Sequence, residues 1–299
     1  MKFILLYLFI FAAAPWAQAK LNVVTTTADI AALVSVVTGD QVNLSQIAKG
    51  SQDPHYIEAK PSFMVKMRDA DLVIANGLSL EVGWLPTLLK GARNPKISVA
   101  SKGYMDLGSL ITPIEKPMGS VTRAMGDVHP DGNPHFTLDP IRRSELAFKI
   151  ADKLSDLDNT NKEVYQANAK KYHETITKKM ADWTARIKAS GVKTVVTYHP
   201  SMNYFMDRFE LKVPIHLEAK PGIPPSAQHI LSVINTVKRE NTKLILVDSF
   251  FDTKIAERIA KEAPTAKVVS IGIAVDSLPQ LKSLEDVTEQ LVKAIESVK

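Results

Sequence analysis

Short apolar stretches that alternate with helical patterns restrict the fold of this chain more than any other feature. They are rich in β-branched residues and lie at 21–25, 42–47, 72–75 and 97–99 in the first half, and at 194–197, 213–217, 244–247 and 268–271 in the second. Such alternation is typical of βαβ units, which form a mainly parallel sheet. The sequence therefore predicts an α/β fold with two similar lobes.

Similar sequence patterns also recur in the two halves at a constant offset of 172 residues. At this offset the stretch 23–25 matches 195–197, and 72–76 matches 244–248. Strand patterns and turn glycines align without a gap, although few residues are identical. Two unrelated α/β segments could share this spacing of strand and helix patterns, but the gapless alignment favours an internal duplication.

Two helical stretches lie between the halves. Asp139 followed by Pro140 is typical of a helix start and opens a helix over 141–157. The stretch 161–189 then contains neither proline nor glycine and ends before Gly191. A helix of that length is about 43 Å long, which favours a rigid connection between lobes over an ordinary packed helix. We expect lobes over 20–158 and 191–299, joined by a helix within 159–190.

The first residues resemble a secretory signal. Lys2 precedes an apolar run over 3–14, and Ala17-Gln18-Ala19 fits a cleavage site. The run is shorter than the ~20 residues of a membrane span, which disfavours a transmembrane anchor. Because the chain has no cysteine to carry a lipid, we expect cleavage after Ala19 and a periplasmic protein without a lipid anchor.

The amino-acid composition limits which metal sites and catalytic groups the chain can form. The chain of 299 residues has no cysteine, which excludes zinc–thiolate sites, iron–sulfur clusters and a thiol nucleophile. Any metal must therefore be held by imidazole and carboxylate groups. The net charge of +5 is too small to indicate nucleic-acid binding.

Three of the seven histidines lie in loops after predicted strands, beside prolines that stiffen the backbone. They are His55, His135 and His199. Any one of them alone is best explained as a polar loop residue, but three in equivalent positions indicate a preorganised metal site. His129 lies close to His135 in sequence and is either an auxiliary contact or a loop residue.

Four carboxylate residues are candidates to act together with these histidines. Asp248 and Asp276 each follow a predicted strand and could reach a cleft between the lobes, whereas Asp53 and Glu58 flank His55 and could orient its ring. Three imidazoles and one carboxylate suit Zn²⁺, whereas Mn²⁺ prefers more oxygen ligands and Cu²⁺ would bind tightly in vitro.

Several motifs together resemble the zinc and manganese substrate-binding proteins of bacterial ABC importers, the cluster A-I family. They occupy 53–62, 69–77, 126–140, 198–199, 204–205, 218–226 and 247–249. The resemblance implies two α/β lobes joined by one long helix, with His55, His135 and His199 as metal ligands between them. A histidine at the third position resembles the zinc-type members. For the fourth ligand it implies Asp276 first, then Asp248, then water.

The resemblance implies capture of Zn²⁺, or alternatively Mn²⁺, and delivery to the membrane permease of an ABC importer, without catalysis. We expect a monomer, and a metallochaperone is a further candidate partner. A zinc hydrolase is the rival function, but the chain has no His-Glu-x-x-His or Gly-x-Ser-x-Gly motif. A surface adhesin is disfavoured by the lack of a lipid-anchor cysteine.

Overall fold

A computed structural model describes residues 19–298 and contains two parallel β-sheets. The first sheet has the order β2-β1-β3-β4. Its strands are β1 (Asn22–Thr25), β2 (Asn43–Gln46), β3 (Leu72–Ala75) and β4 (Tyr104–Asp106). The second sheet has the order β5-β6-β7. Its strands are β5 (Val196–Thr197), β6 (Leu244–Asp248) and β7 (Lys267–Ile271).

Helices connect the strands in each half and separate the two sheets. They are α1 (Ala28–Thr38), α2 (Pro61–Arg68), α3 (Leu85–Ala92), α4 (Pro140–Leu157), α5 (Lys162–Ser190), α6 (Asn203–Arg208), α7 (Ala227–Arg239), α8 (Lys254–Glu262) and α9 (Leu284–Glu296). The α/β class with parallel sheets and one long helix is confirmed.

The local signals at α4 and α5 act as the sequence indicated. The Asp139 carboxylate caps α4 by accepting from the backbone N–H of Ile141. Helix α5 has 29 residues and ends at Gly191, whose left-handed φ of 69° closes the last turn. Its apolar face is buried along its length, with Tyr165, Ile176 and Trp183 all at most 1% exposed.

Two strand predictions are wrong. The stretch 97–99 is not a strand: residues Pro95–Ile97 form a 3₁₀ turn, and the fourth strand follows at Tyr104–Asp106. The stretch 213–217 pairs with β5 only through a bridge between His216 and Thr197. Pro214 interrupts this stretch, since proline has no N–H to donate to a ladder.

One apolar core runs through both halves of the molecule. Helices α1, α4, α5 and α9 contribute to the same cluster of buried side chains as the inner faces of both sheets. The outer face of each sheet packs against its own smaller cluster. The long helix therefore packs on both halves as well as joining them. The domain limits 20–158, 159–190 and 191–299 stay a prediction.

Most of the predicted signal segment lies outside the described residues, since they begin at Ala19. Within residues 19–298, none of the helices combines the length and the apolar character that crossing a bilayer requires.

Candidate metal centre

Three histidines from distant parts of the chain converge between the sheets. His55 lies in the loop after β2, His135 precedes α4, and His199 follows β5. The ring centroids form a nearly equilateral triangle with sides of 5.3, 5.4 and 5.4 Å. One ring nitrogen from each lies within 4.8 Å of the others. This is the arrangement in which three imidazoles can share one cation.

The same local turn presents two of these rings. The side chain of Asp53 accepts from the backbone N–H of His55 at 3.0 Å, and that of Asn133 accepts from His135 at 2.9 Å. Each is an Asx-turn across an intervening proline, which fixes the backbone just before the imidazole. The Asp-Pro-His and Asn-Pro-His sequences therefore orient their histidines before any tertiary contact forms.

Buried carboxylates set the orientation of two rings. Nδ1 of His55 lies 2.7 Å from the Asp53 carboxylate, and Nδ1 of His199 lies 2.8 Å from Glu218. In the neutral imidazole, Nδ1–H donates to the carboxylate and Nε2 keeps a lone pair for a metal. The hydrogen bonds from His55 outweigh burial and lower the pKa of Asp53.

Within residues 19–298, no carboxylate holds the third ring in this way. Nε2 of His135 is buried and has no hydrogen-bond partner among the described residues. Burial, with the neighbouring imidazoles, lowers the pKa of His135 well below its ordinary value, so the ring is neutral. A buried nitrogen without a hydrogen bond is costly in a folded protein, and coordination of a cation would satisfy it.

His199 behaves differently because of its carboxylate neighbours. Burial alone would lower its pKa, but the hydrogen bond to Glu218 and the charge of Asp248 raise it. Protons therefore compete with a metal at this ring, and metal affinity should fall as the pH drops.

The loops that carry His55 and His135 are tied to the first sheet. The indole N–H of Trp84 donates to the carbonyl of Pro54 at 2.9 Å. The amide of Asn76, at the end of β3, donates to the carbonyl of Pro134 at 2.9 Å. Glu81 in turn accepts from the backbone N–H of Asn76 at 2.7 Å. The end of β3 and the start of α3 thus position the loops that carry His55 and His135.

The structure does not bring Asp276 to the histidines. Its side chain is 58% exposed and accepts from Lys282 at 2.7 Å. The preceding residue, Val275, donates its N–H to Asp29 and packs so closely on Gly50 that a Cβ there would lie 1.8 Å from its carbonyl oxygen. This packing holds the loop in place while Asp276 pairs with Lys282 at the surface.

The second-choice ligand, Asp248, is buried at the end of β6 but lies outside the cluster. One of its oxygens accepts from the hydroxyl of Ser201, and the other has no partner among the described residues. Burial raises the pKa of Asp248 to about 6. Among residues 19–298, no carboxylate joins the three ring nitrogens within 4.8 Å.

Glu58 does not orient His55. Its side chain is 80% exposed and lies 3.6 Å from the ammonium group of Lys60. Asp53 alone of the two predicted orienting residues contacts the ring. Sequence reasoning missed Glu218, which holds His199 in the same way. The sequence feature that could have identified Glu218 is its position directly after the predicted strand 213–217. That stretch ends beside the strand that leads to His199.

Comparison with known proteins identifies the family. A family model described as zinc-uptake complex component A periplasmic, ZnuA, matches residues 23–298. The chain belongs to the ZnuA family. The resemblance to metal substrate-binding proteins is therefore confirmed.

Similar proteins include both zinc and manganese binders by name. The zinc-binding lipoprotein AdcA of Streptococcus pneumoniae (strain ATCC BAA-255 / R6) is 27% identical over 282 residues, which cover 94% of this chain and 53% of AdcA. The manganese ABC transporter substrate-binding lipoprotein ScaA of Streptococcus gordonii is 27% identical over 86% of this chain and 82% of its own. This chain thus spans about half the length of AdcA.

Solved structures share the fold of this ZnuA-family chain. The crystal structure of ZnuA aligns with a TM-score of 0.77 at 25% identity, covering 93% of this chain and 98% of that one. The laminin-binding protein Lmb of Streptococcus agalactiae, described as an adhesin with metal transporting activity, aligns with a TM-score of 0.75 at 25% identity, covering 92% and 99%. Both are consistent with two lobes.

One sequence prediction is overturned by these names. We expected a periplasmic protein without a lipid anchor. AdcA of S. pneumoniae, ScbA of Streptococcus cristatus and ScaA of S. gordonii are all named lipoproteins. The prediction is therefore wrong.

Proposed function

We propose that this protein captures Zn²⁺ with His55, His135 and His199 and delivers it to the membrane permease of an ABC importer. The observation that carries this proposal is the convergence of three ring nitrogens within 4.8 Å. Two of those rings are held on carboxylates through Nδ1, and Nε2 of the third is buried without a hydrogen-bond partner among the described residues. Membership of a zinc-uptake family supports the same function.

The donor set favours zinc over manganese. Neutral imidazole nitrogens suit Zn²⁺, whereas Mn²⁺ prefers carboxylate, carbonyl and water oxygens. The carboxylates nearest the cluster, Asp53 and Glu218, already accept hydrogen bonds from the rings that they orient. Manganese binding, as the name of ScaA suggests for that relative, is the alternative that the titration below separates.

The same engagement of carboxylates argues for binding rather than catalysis. A zinc hydrolase keeps a water on the metal and a free carboxylate or histidine as general base. Here Asp53 and Glu218 hold ring N–H groups, and Asp248, one oxygen of which accepts from Ser201, lies outside the three-histidine cluster. We therefore infer a carrier without a reaction of its own. Turnover of ester or peptide substrates that is lost with His199→Ala would overturn this inference.

The deciding experiment is metal analysis of protein purified without added metal, with competition titrations using Zn²⁺ and Mn²⁺. We expect about one Zn²⁺ per chain and a preference for Zn²⁺ over Mn²⁺. His199→Ala should lose most of the affinity. His173→Ala is the matched control, since its ring contacts Ser144 on α4 and should leave affinity unchanged. A preference for Mn²⁺ would overturn the choice of metal.

Delivery is tested in the cell that produces the protein. Deletion of its gene should lower zinc accumulation in medium that contains a chelator. The wild-type gene should restore accumulation, and the His199→Ala gene should not. Equal accumulation with and without the gene would contradict a role in uptake. A monomeric state and a metallochaperone partner stay predictions.

A further inference from the structure

A fourth histidine contacts the cluster from outside it. Nε2 of His129 lies 3.2 Å from Nε2 of His55, and the two ring centroids are 5.2 Å apart. His129 also lines both a cavity of about 190 Å³ shared with His135 and His199 and the pocket that contains His55 and Tyr56. Its ring therefore lies against His55 and borders both pockets.

The spacing of the two nitrogens is close to that of ligands on one metal. Nδ1–H of His55 donates to Asp53, so Nε2 of His55 carries a lone pair and has no proton to donate. In a tetrahedral site with Zn–N bonds of about 2.0–2.1 Å, neighbouring nitrogens are roughly 3.3 Å apart. The 3.2 Å between His55 and His129 matches such an edge.

Other candidates for the fourth position lie outside the cluster. Asp276 is exposed and pairs with Lys282, and one oxygen of Asp248 accepts from Ser201. Neither Asp276 nor Asp248 places an oxygen within 4.8 Å of all three ring nitrogens. His173 contacts Ser144, and Nδ1 of His216 contacts Thr197. Of these side chains and His129, only His129 has a nitrogen in contact with a nitrogen of the cluster.

The segment 123–130 that carries His129 crosses between the two halves. The N–H of Asp127 donates to the carbonyl of Pro221 at 2.8 Å, and Lys220 donates to the carbonyl of Ala124 at 2.8 Å. On the other side, the hydroxyl of Tyr56 donates to the Asp127 carboxylate. Gly126 has a φ of 76°, and a Cβ there would lie 2.1 Å from the Pro221 oxygen. Only glycine fits this crossing without strain.

We propose that His129 is the fourth ligand of the transported metal, carried on a segment that bridges both halves over the site. This rests on the proposed function, since the metal is the cargo. His129 lies outside the set whose nitrogens are all within 4.8 Å of one another, so its ring moves toward His135 and His199 on binding. Four imidazoles form an all-nitrogen set, which selects Zn²⁺ against oxygen-preferring Mn²⁺.

The direct test is zinc K-edge X-ray absorption of the zinc-loaded wild-type protein, in which outer-shell scattering counts the imidazole rings. We expect four imidazoles. In His129→Gln we expect three imidazoles and one oxygen ligand, and a zinc affinity at least tenfold lower in competition with a chelator. His173→Gln is the matched control and should keep four imidazoles and the wild-type affinity.

A second variant separates ligation from folding. His129→Ala should bind zinc weakly, and millimolar imidazole should restore the affinity by occupying the vacated position. A merely structural role of His129 would not respond to imidazole. The wild-type count needs no variant, so a variant that fails to fold leaves the test intact.

The two proposals fail in different ways. Tight zinc binding with three imidazoles in the wild type, unchanged in His129→Gln, would overturn the role of His129 and keep the zinc carrier. Four imidazoles that persist in His129→Gln would also overturn it. A wild-type protein that binds no zinc would overturn the proposed function itself.

Discussion

At the scale of single residues, the orientation of two histidine rings in the candidate site depends on the carboxylates that contact them. Asp53 and Glu218 each accept from an Nδ1–H, which leaves Nε2 free on the side of the cleft. Both side chains are largely buried, with 21% and 4% exposed. Such partners act by fixing the tautomer and direction of a ligand rather than by touching the metal.

We therefore predict that Glu218→Gln and Asp53→Asn each lower zinc affinity about 10–100-fold while all three histidines remain. Glu58→Gln is the matched control, because Glu58 lies near Asp53 and His55 in the sequence but its side chain is exposed. This substitution should leave the zinc affinity unchanged. Competition titration with a chelator measures all three. Equal affinities of Glu218→Gln and the wild type would show that the ring needs no carboxylate.

The buried carboxyl group of Glu81 makes the stability of the protein depend on pH. Burial raises its pKa to about 7, although backbone N–H groups of Asn76 and Gly77 donate to it. Because the pKa of Glu81 is higher in the folded than in the unfolded protein, protonation of Glu81 increases the free energy of unfolding. This stabilisation is fully present below about pH 4.5, the ordinary pKa, and is lost as the pH rises through about 7.

The prediction is that wild type loses stability relative to Glu81→Gln between pH 4.5 and 7, by up to about 3 kcal/mol. Urea unfolding of both proteins at several pH values measures the difference. Comparing each with Glu58→Gln removes effects common to all carboxylates. Parallel pH profiles for wild type and Glu81→Gln would contradict it.

At the scale of elements, the start of α4 is held by a single carboxylate. Asp139 accepts from the N–H of Ile141 and forms ion pairs with the guanidinium groups of Arg142 and Arg208. Its side chain is 2% exposed. Since His135 lies only one short turn before α4, this carboxylate also anchors the backbone that follows His135.

Asp139→Ala should therefore destabilise the protein by about 2–4 kcal/mol, through loss of the cap and of a buried charge partner. Asp156→Ala is the matched control, because Asp156 is exposed near the end of the same helix and should change stability by less than about 0.5 kcal/mol. Denaturant unfolding measures both. A loss no larger than that of the control would contradict the anchoring role.

At the scale of the whole molecule, the two halves share one core. Helix α5 packs between them with α1, α4 and α9, and Asp29 of α1 accepts from Thr137 and from the N–H of Val275 in the other half. A continuous apolar core resists hinge opening, because opening exposes buried surface to water. Metal capture should then move loops rather than whole lobes.

We predict that the radius of gyration from small-angle X-ray scattering is the same, within error, with and without zinc. Hydrogen exchange should slow on zinc binding in the segment 123–130 and around His55, His135 and His199. Helix α5 serves as the internal control and should exchange equally in both states. A clear compaction on zinc binding would contradict a rigid pair of lobes.

Much of the architecture was predictable because its signals are local. Asp139-Pro140 and Gly191 mark the ends of α4 and α5, and the β-branched run at 72–75 matches β3 residue for residue. The stretch 97–99 failed because a short apolar run has no property that separates a strand from a turn packed into the core. The stretch 213–217 failed because Pro214 limits its pairing.

The sequence by itself determined which atoms could hold a metal, since a chain without cysteine offers only imidazoles and oxygens, and it placed three histidines after stiff turns. Only the tertiary structure decided what surrounds them. Asp276 faces Lys282, Glu58 faces solvent, Glu218 holds His199, and His129 contacts His55. The physical reason is distance along the chain: these contacts join loops whose approach depends on how both sheets pack against α5.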